Sequence, residues 1–272
     1  MKTELYDDFS RKLHLSARAQ NQPLRVMFEL TYACNFKCEH CYIPESYRRL
    51  KTLNTKQVFD VIRQLKDAGC FYLGFTGGEI FTRPDIKKIL KFSSRQGFQT
   101  ILYSNGSLIT KHLAEYIVDL GTNKIDITVP GLSRQVFEKI SGLKGSYKKV
   151  FSAIGYLMQY KANLGLKTCR LGANAKEIKG IQDFAADLGV KHRLTDRLLA
   201  PWKPLTAVGA LKCGSGNSQC AITPDGKLKL CVMLNWPKIK IAQNRGFSKA
   251  WAGLTRRLKK TSLHSNCPCA YL

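Results

Sequence analysis

Acidic residues are scarce in this 272-residue chain: 19 Asp and Glu face 44 Lys and Arg, a formal net charge of +25. The imbalance creates a field that attracts polyanions, whether nucleic acid, an anionic membrane surface or an acidic peptide. The basic residues are spread along the chain, densest at 48–51, 87–88, 148–149 and 256–260. A solvated basic surface with no dedicated partner explains them as well. Long apolar runs are also missing. No stretch approaches the ~20 residues that a membrane-spanning helix needs, and the opening MKTELYDDFSRKLHL lacks the apolar core of a secretory signal. Cysteine is not scarce, with ten copies. However, the chain is long and groups its cysteines at ligand spacings, unlike a secreted disulfide framework. A reducing cytoplasm, thiolate–metal chemistry and no membrane partner are expected.

Short runs rich in aromatic and β-branched residues predict strands at 25–31, 71–75, 99–103, 124–129, 165–170 and 190–194. Amphipathic stretches predict helices at 55–68, 84–96, 108–120, 146–162 and 174–188. Gly69, Gly97, Gly121, Gly165 and Gly189 stand where helices should end, and Asn54-Thr55 and Ser107 where they should begin. The alternation predicts an α/β fold with a parallel sheet. Six units are too few for a closed eight-stranded barrel, so a partial, open (β/α)6 barrel is expected, with chemistry at the carboxyl ends of its strands. A 1–23 extension precedes a barrel at 24–200. Beyond the linker-like PWKP at 201–204, five cysteines crowd into a 201–272 region too small to fold on apolar burial alone. That region is expected to be a small, cysteine-rich metal-binding appendage. Cys70 and Cys169 fall in or beside strands and read as core residues. Trp202, Trp236 and Trp251 read as packing anchors.

Residues 34–41 read Cys-Asn-Phe-Lys-Cys-Glu-His-Cys. At this composition two prescribed positions are both cysteine about once in 700 trials. Cys34, Cys38 and Cys41 make a compact claw for a soft metal centre, one thiolate short of the four that usually hold an iron–sulfur cluster. The missing ligand would leave one iron open to chemistry. The alternative is a zinc knuckle completed by His40, in a cramped position between two of its partners. Next come Thr-Gly-Gly-Glu at 76–79, Ser104-Asn105-Gly106, Asp126 and Thr128, and Asn174 with Glu177, each near the end of a predicted strand. Two glycines let a backbone approach a ligand closely, and a carboxylate beside them can accept from an ammonium group.

With its LTYACNFKCEHCY segment and the Thr-Gly-Gly-Glu that follows, the chain resembles the radical S-adenosylmethionine (SAM) enzymes. The resemblance implies that Cys34, Cys38 and Cys41 ligate three irons of a [4Fe–4S] cluster, and that SAM chelates the fourth. It places His40 against the adenine and Gly77, Gly78 and Glu79 at the amino group of SAM. It places Ser104, Asn105, Asp126, Thr128 and Asn174 along the rest of SAM. It further implies reductive cleavage of SAM to a 5′-deoxyadenosyl radical that abstracts hydrogen from a substrate. The spacing from Cys213 through Gly226 to Cys231 is similar to the start of a SPASM or twitch region, which implies one auxiliary iron–sulfur cluster. Which four of Cys213, Cys220, Cys231, Cys267 and Cys269 would hold it stays open, and a zinc site there is the alternative. The implied substrate is a peptide or protein, or else a small quinone or tetrapyrrole precursor. The implied electron donor is a protein such as flavodoxin or ferredoxin. A zinc-containing, basic nucleic-acid-binding protein is the rival from another class, with +25 of charge its support.

Overall fold

Strand and helix alternate as the periodicity predicts. The computed structural model describes residues 2–195, 215–234, 238–242 and 246–260. Helix α1 (Lys2–Ala19) precedes five strand–helix steps and a sixth strand. These are β1 (Arg25–Thr31), α2 (Thr55–Asp67), β2 (Tyr72–Gly77), α3 (Ile86–Arg95), β3 (Gln99–Ser104), α4 (Lys111–Asp119) and β4 (Lys124–Thr128). Then come α5 (Arg134–Ser141), α6 (Ser146–Gln159), β5 (Leu164–Cys169), α7 (Ile178–Asp187) and β6 (Lys191–Thr195). Two strands, β7 (Gln219–Ile222) and β8 (Lys227–Lys229), a two-residue β9 (Ile239–Lys240) and α8 (Phe247–Lys260) complete the described elements.

One sheet runs β6-β5-β4-β3-β2-β1-β7-β8-β9. Strands β1 to β6 are all parallel to their neighbours, as crossover helices require. Alternate side chains divide between two faces. Val26, Phe28, Leu73, Phe75, Leu102, Ile125, Ile127 and Leu166 turn toward the helices and lose essentially all contact with water. Val58, Ile62 and Leu65 of α2 and Ile89 and Leu90 of α3 are buried there with them. Each such side chain contributes about 1.5–3 kcal/mol of burial. The residues between them stay partly open: Met27, Thr76, Tyr103, Lys124, Thr128 and Lys167 are half-buried. They share the concave face, where a Cβ on Gly74 would strike Met27 and crowd Tyr103.

Four expectations change. The polar N-terminal stretch is a helix, which seats Ala17 against Leu24 and Tyr72 and stacks His14 on the Tyr72 ring at 5.7 Å. Because Leu24 and Tyr72 lie at the starts of β1 and β2, α1 covers the amino-end floor of the barrel. Short α5 was not expected. Gly165 ends no helix: α6 closes near Lys161, at φ +57°, and Gly165 lies inside β5, where a Cβ would meet the Asp126 carboxylate at 2.3 Å. Ser107 caps nothing, and Thr110 caps α4 through the Leu113 N–H. Asn54 does cap α2, in a reciprocal box with Gln57.

The described strands and helix between residues 215 and 260 pack onto the barrel. Strand β7 pairs with β1 from Arg25↔Gln219 to Phe28↔Ile222. Cys220, Ile222, Leu228, Phe247, Trp251 and Leu254 belong to the same apolar core as the barrel. Trp251 anchors as expected, donating its indole N–H to the Asn21 carbonyl at 2.6 Å. Trp202 and Trp236 lie outside the described residues.

Candidate active site

The three-cysteine loop leaves the carboxyl end of β1. The carbonyls at the end of α5 meet it: Lys37 N–H donates to Ser141 at 3.0 Å and Glu39 N–H to Ile140 at 2.9 Å. Gly142 closes α5 in the left-handed region (φ +67°), where a Cβ would lie 2.7 Å from the Lys37 carbonyl. On the other side Arg48 donates to the Phe36 carbonyl at 2.6 Å and pairs with Glu45 at 2.9 Å. Cys34, Cys38 and Cys41 are all half-buried and free. They lie close enough that Cys41 adds to the cost of ionising Cys34, and both add to that of ionising Cys38. Burial is the main cause of the upward shifts, and it pushes Cys38 to about 12. Hydrogen-bond donors point at the sulfurs: Phe36 N–H at 3.4 Å and Asn105 Nδ2 at 3.8 Å from Cys34, and Arg48 Nη2 at 4.0 Å from Cys41. Such donors stabilise thiolate ligands once a metal has displaced the protons.

The Gly-Gly turn is stitched to this loop backbone to backbone. Gly78 N–H donates to Thr31 at 2.7 Å and Glu79 N–H to Ala33 at 2.9 Å. Gly77 holds φ +128° with its Cβ direction 2.1 Å from the Thr31 carbonyl, and Gly78 faces the Ala33 carbonyl at 2.2 Å. The glycines therefore serve first the approach of two chain segments. Gly78→Ala is expected to push the loop off β2, at a cost of about 1–3 kcal/mol or more. A lowered guanidinium midpoint, with reduced iron uptake on reconstitution, checks this.

Several residues expected to touch SAM are internal supports instead. Glu79 is fully buried, and its carboxylate accepts from Phe81 N–H, Asn105 N–H and Ser104 Oγ. Burial lifts it to about 7 against those bonds. With no exposure it has no face for an ammonium group. Ser104 is buried too, giving its proton to Glu79 and accepting from Gly106 N–H. Asn105 reaches from β3 to Asn35 at 2.9 Å, tying a third strand end to the loop. Asp126 is buried in an ion pair with Lys124 at 2.8 Å. Asn174 spends its whole amide on Pro130, Cys169 and Leu171, and Glu177 accepts from Leu132 and Ser133, so the pair clips two loops together. Half-buried His40, whose Nδ1 is buried without a partner, stays at the rim with Gly77, Gly78, Asn105 and Thr128. Among the C-terminal cysteines, Cys220 sits in β7 near Cys70, buried in the core with its thiol pushed well up by that burial. Cys231 is half-buried, and Cys213, Cys267 and Cys269 lie outside the described residues. Cys70 and Cys169 are buried as expected.

No motif or periodicity singled out Glu29. This fully buried β1 carboxylate accepts from Tyr32 at 3.0 Å and Tyr42 at 3.1 Å, at the two ends of the cysteine loop. Lys229 of β8, also fully buried, pairs with it at 2.7 Å. Burial beside Glu29 raises both phenols.

The profile of the Radical SAM superfamily matches residues 28–185, more than half of the chain. The chain belongs to the radical SAM superfamily. It is similar to the antilisterial bacteriocin subtilosin biosynthesis protein AlbA of Bacillus subtilis, at 26% identity over 78% of this chain and 55% of that protein. It is similar to the AdoMet-dependent heme synthase of Methanosarcina barkeri, at 26% identity over 62% of this chain and 49% of that protein. The chain thus spans about half the length of these curated relatives. Its fold matches the crystal structure of Streptococcus suis SuiB bound to precursor peptide SuiA with a TM-score of 0.68, at 12% identity over 92% of this chain and 72% of that one.

The superfamily's cofactors are a [4Fe–4S] cluster and SAM, and the rim fits them. Three free thiols stand in one loop under N–H donors, with the backbone of the glycine turn alongside.

Proposed function

We propose that this radical SAM protein modifies a peptide or protein substrate by hydrogen-atom abstraction. The three-thiol loop carries the reading, because β1, β2, β3 and α5 all hold it at the carboxyl-end rim. Bound there, the cluster and SAM supply one-electron cleavage of SAM and a carbon radical. Cys34, Cys38 and Cys41 would hold the cluster. Gly77 and Gly78 offer backbone to the amino group of SAM, and His40, Asn105 and Thr128 border the remainder. The concave face beneath presents the substrate and limits water. Support for a peptide comes from SuiB, whose structure holds a precursor peptide. The heme synthase supports a second reading, a tetrapyrrole precursor.

An auxiliary cluster would draw on Cys213, Cys231, Cys267 and Cys269, and an external donor such as flavodoxin or ferredoxin would deliver the electron. No described helix is long and apolar enough to cross a membrane, which is compatible with the expected cytoplasmic setting. Anaerobic reconstitution with iron and sulfide, then SAM and a chemical reductant, is expected to give brown protein that forms 5′-deoxyadenosine. Colourless protein, or no 5′-deoxyadenosine, overturns the proposal.

A further inference from the structure

The concave face carries a charge pattern to which no role has been given above. On β4, β5 and β6 register places Asp126 beside Gly165 and Gly165 beside Lys191, then Thr128 beside Lys167 and Lys167 beside Arg193. With Lys124 at the start of β4, four cations share this wall with one carboxylate. Lys124 takes that carboxylate at 2.8 Å. Lys167 has no carboxylate in ion-pair contact among the described residues, and its ammonium lies 4.5 Å from the centre of the Tyr103 ring. Asp126 draws on it electrostatically, and Arg193 and Lys124 repel it. Burial is the main reason its amine is lowered to about 8.

A half-buried ammonium without a paired anion costs stability, and groups kept at such cost concentrate in ligand sites. Thr128, Lys167 and Arg193 lie one step beyond the Ser104↔Ile127 pair, level with Asn105 and hence with the rim that holds the cysteine loop. An anion seated on Lys167 would therefore lie within the barrel mouth.

We infer that Lys167 and Arg193 read a carboxylate on the substrate, an Asp or Glu side chain in the peptide reading, and hold it against the inner wall of β5 and β6. The inference rests on the proposed function, and it deepens it by naming the substrate's chemistry. Lys167 supplies a charge-assisted hydrogen bond in a dry setting, and exposed Arg193 supplies a fork that can grip the same group.

The test is fluorescence anisotropy on the reconstituted, SAM-loaded full chain, with labelled pentapeptides bearing Glu, Gln or phosphoserine at the centre. The Glu peptide is expected to bind about tenfold or more tightly than the Gln peptide. Lys167→Met should erase that preference, with unchanged SAM binding and an unchanged or raised melting temperature, and Lys167→Arg should restore part of it. A porphyrin bearing propionates that displaces the Glu peptide supports the same carboxylate site with a small-molecule source. Equal binding of Glu and Gln peptides, an unaffected Lys167→Met variant, or a preference for phosphoserine overturns the inference. 5′-Deoxyadenosine measured in the same samples reports separately on the parent reading. Its absence beside intact Glu preference sinks the enzyme reading and not the site.

Discussion

Cys34→Ala is expected to reduce 5′-deoxyadenosine formation to the level of protein reconstituted without iron. The change removes one thiol and leaves the fold almost untouched. Cys34 is half-buried at a rim, and the loop's anchors are backbone bonds to Ser141 and Ile140 and from Gly78 and Glu79, together with the Glu29 network. The melting temperature of the iron-free protein should therefore move little. Loss of an outer partner of a metal ligand typically costs about 10–100-fold in metal affinity or activity. Loss of one of only three protein ligands should exceed that. Cys34 also accepts from Phe36 N–H and Asn105 Nδ2; its loss takes that acceptor from Phe36, while Asn105 keeps its bond to Asn35. Iron content, visible absorbance and product yield check the expectation together. A Cys34→Ala protein that keeps its iron and product formation would remove Cys34 from the ligand set.

Glu29→Ala is expected to damage the same centre from below. Its carboxylate answers two tyrosine hydroxyls and the Lys229 ammonium in a site with no water contact. Taking one partner from a buried ion pair costs about 3–5 kcal/mol, because the remaining charge stays buried. Against a total stability of about 5–15 kcal/mol that is a large share. Tyr32 and Tyr42 flank the cysteines, so their release should loosen the loop and lower iron uptake as well. Removing both charges should be milder, since paired apolar replacement of a buried ion pair is often near neutral. Guanidinium unfolding of iron-free Glu29→Ala and of Glu29→Met with Lys229→Met separates the two effects. If the single variant stays within about 1 kcal/mol of the parent, the worth of a surface pair, the network does not brace the loop.

The barrel was legible because its signals are local. Apolar alternation marked every strand from β1 to β6 within a residue or two, and three cysteines in eight residues marked the loop. What failed depends on distance. Glu29 meets Lys229 across 200 positions, and a lone acid in a strand announces no partner. Asn174 and Glu177 look like ligand-facing polar residues because a loop clip uses the same residue types as a binding site. Helix α5 is short, and its value to the site lies in two carbonyls that no side-chain pattern reveals. Helix α1 was missed because polar residues dominate its composition, and among its described side chains Ala17 is the buried one.

The seating of β7 alongside β1 has a further result. A cut near residue 200 would strip β1 of one of its two hydrogen-bonding neighbours and take away the lysine that neutralises its acid, directly beneath the cysteines. Barrel and tail are thus welded at the strand that launches the reactive loop, and neither can be exchanged for a foreign module without recutting that seam.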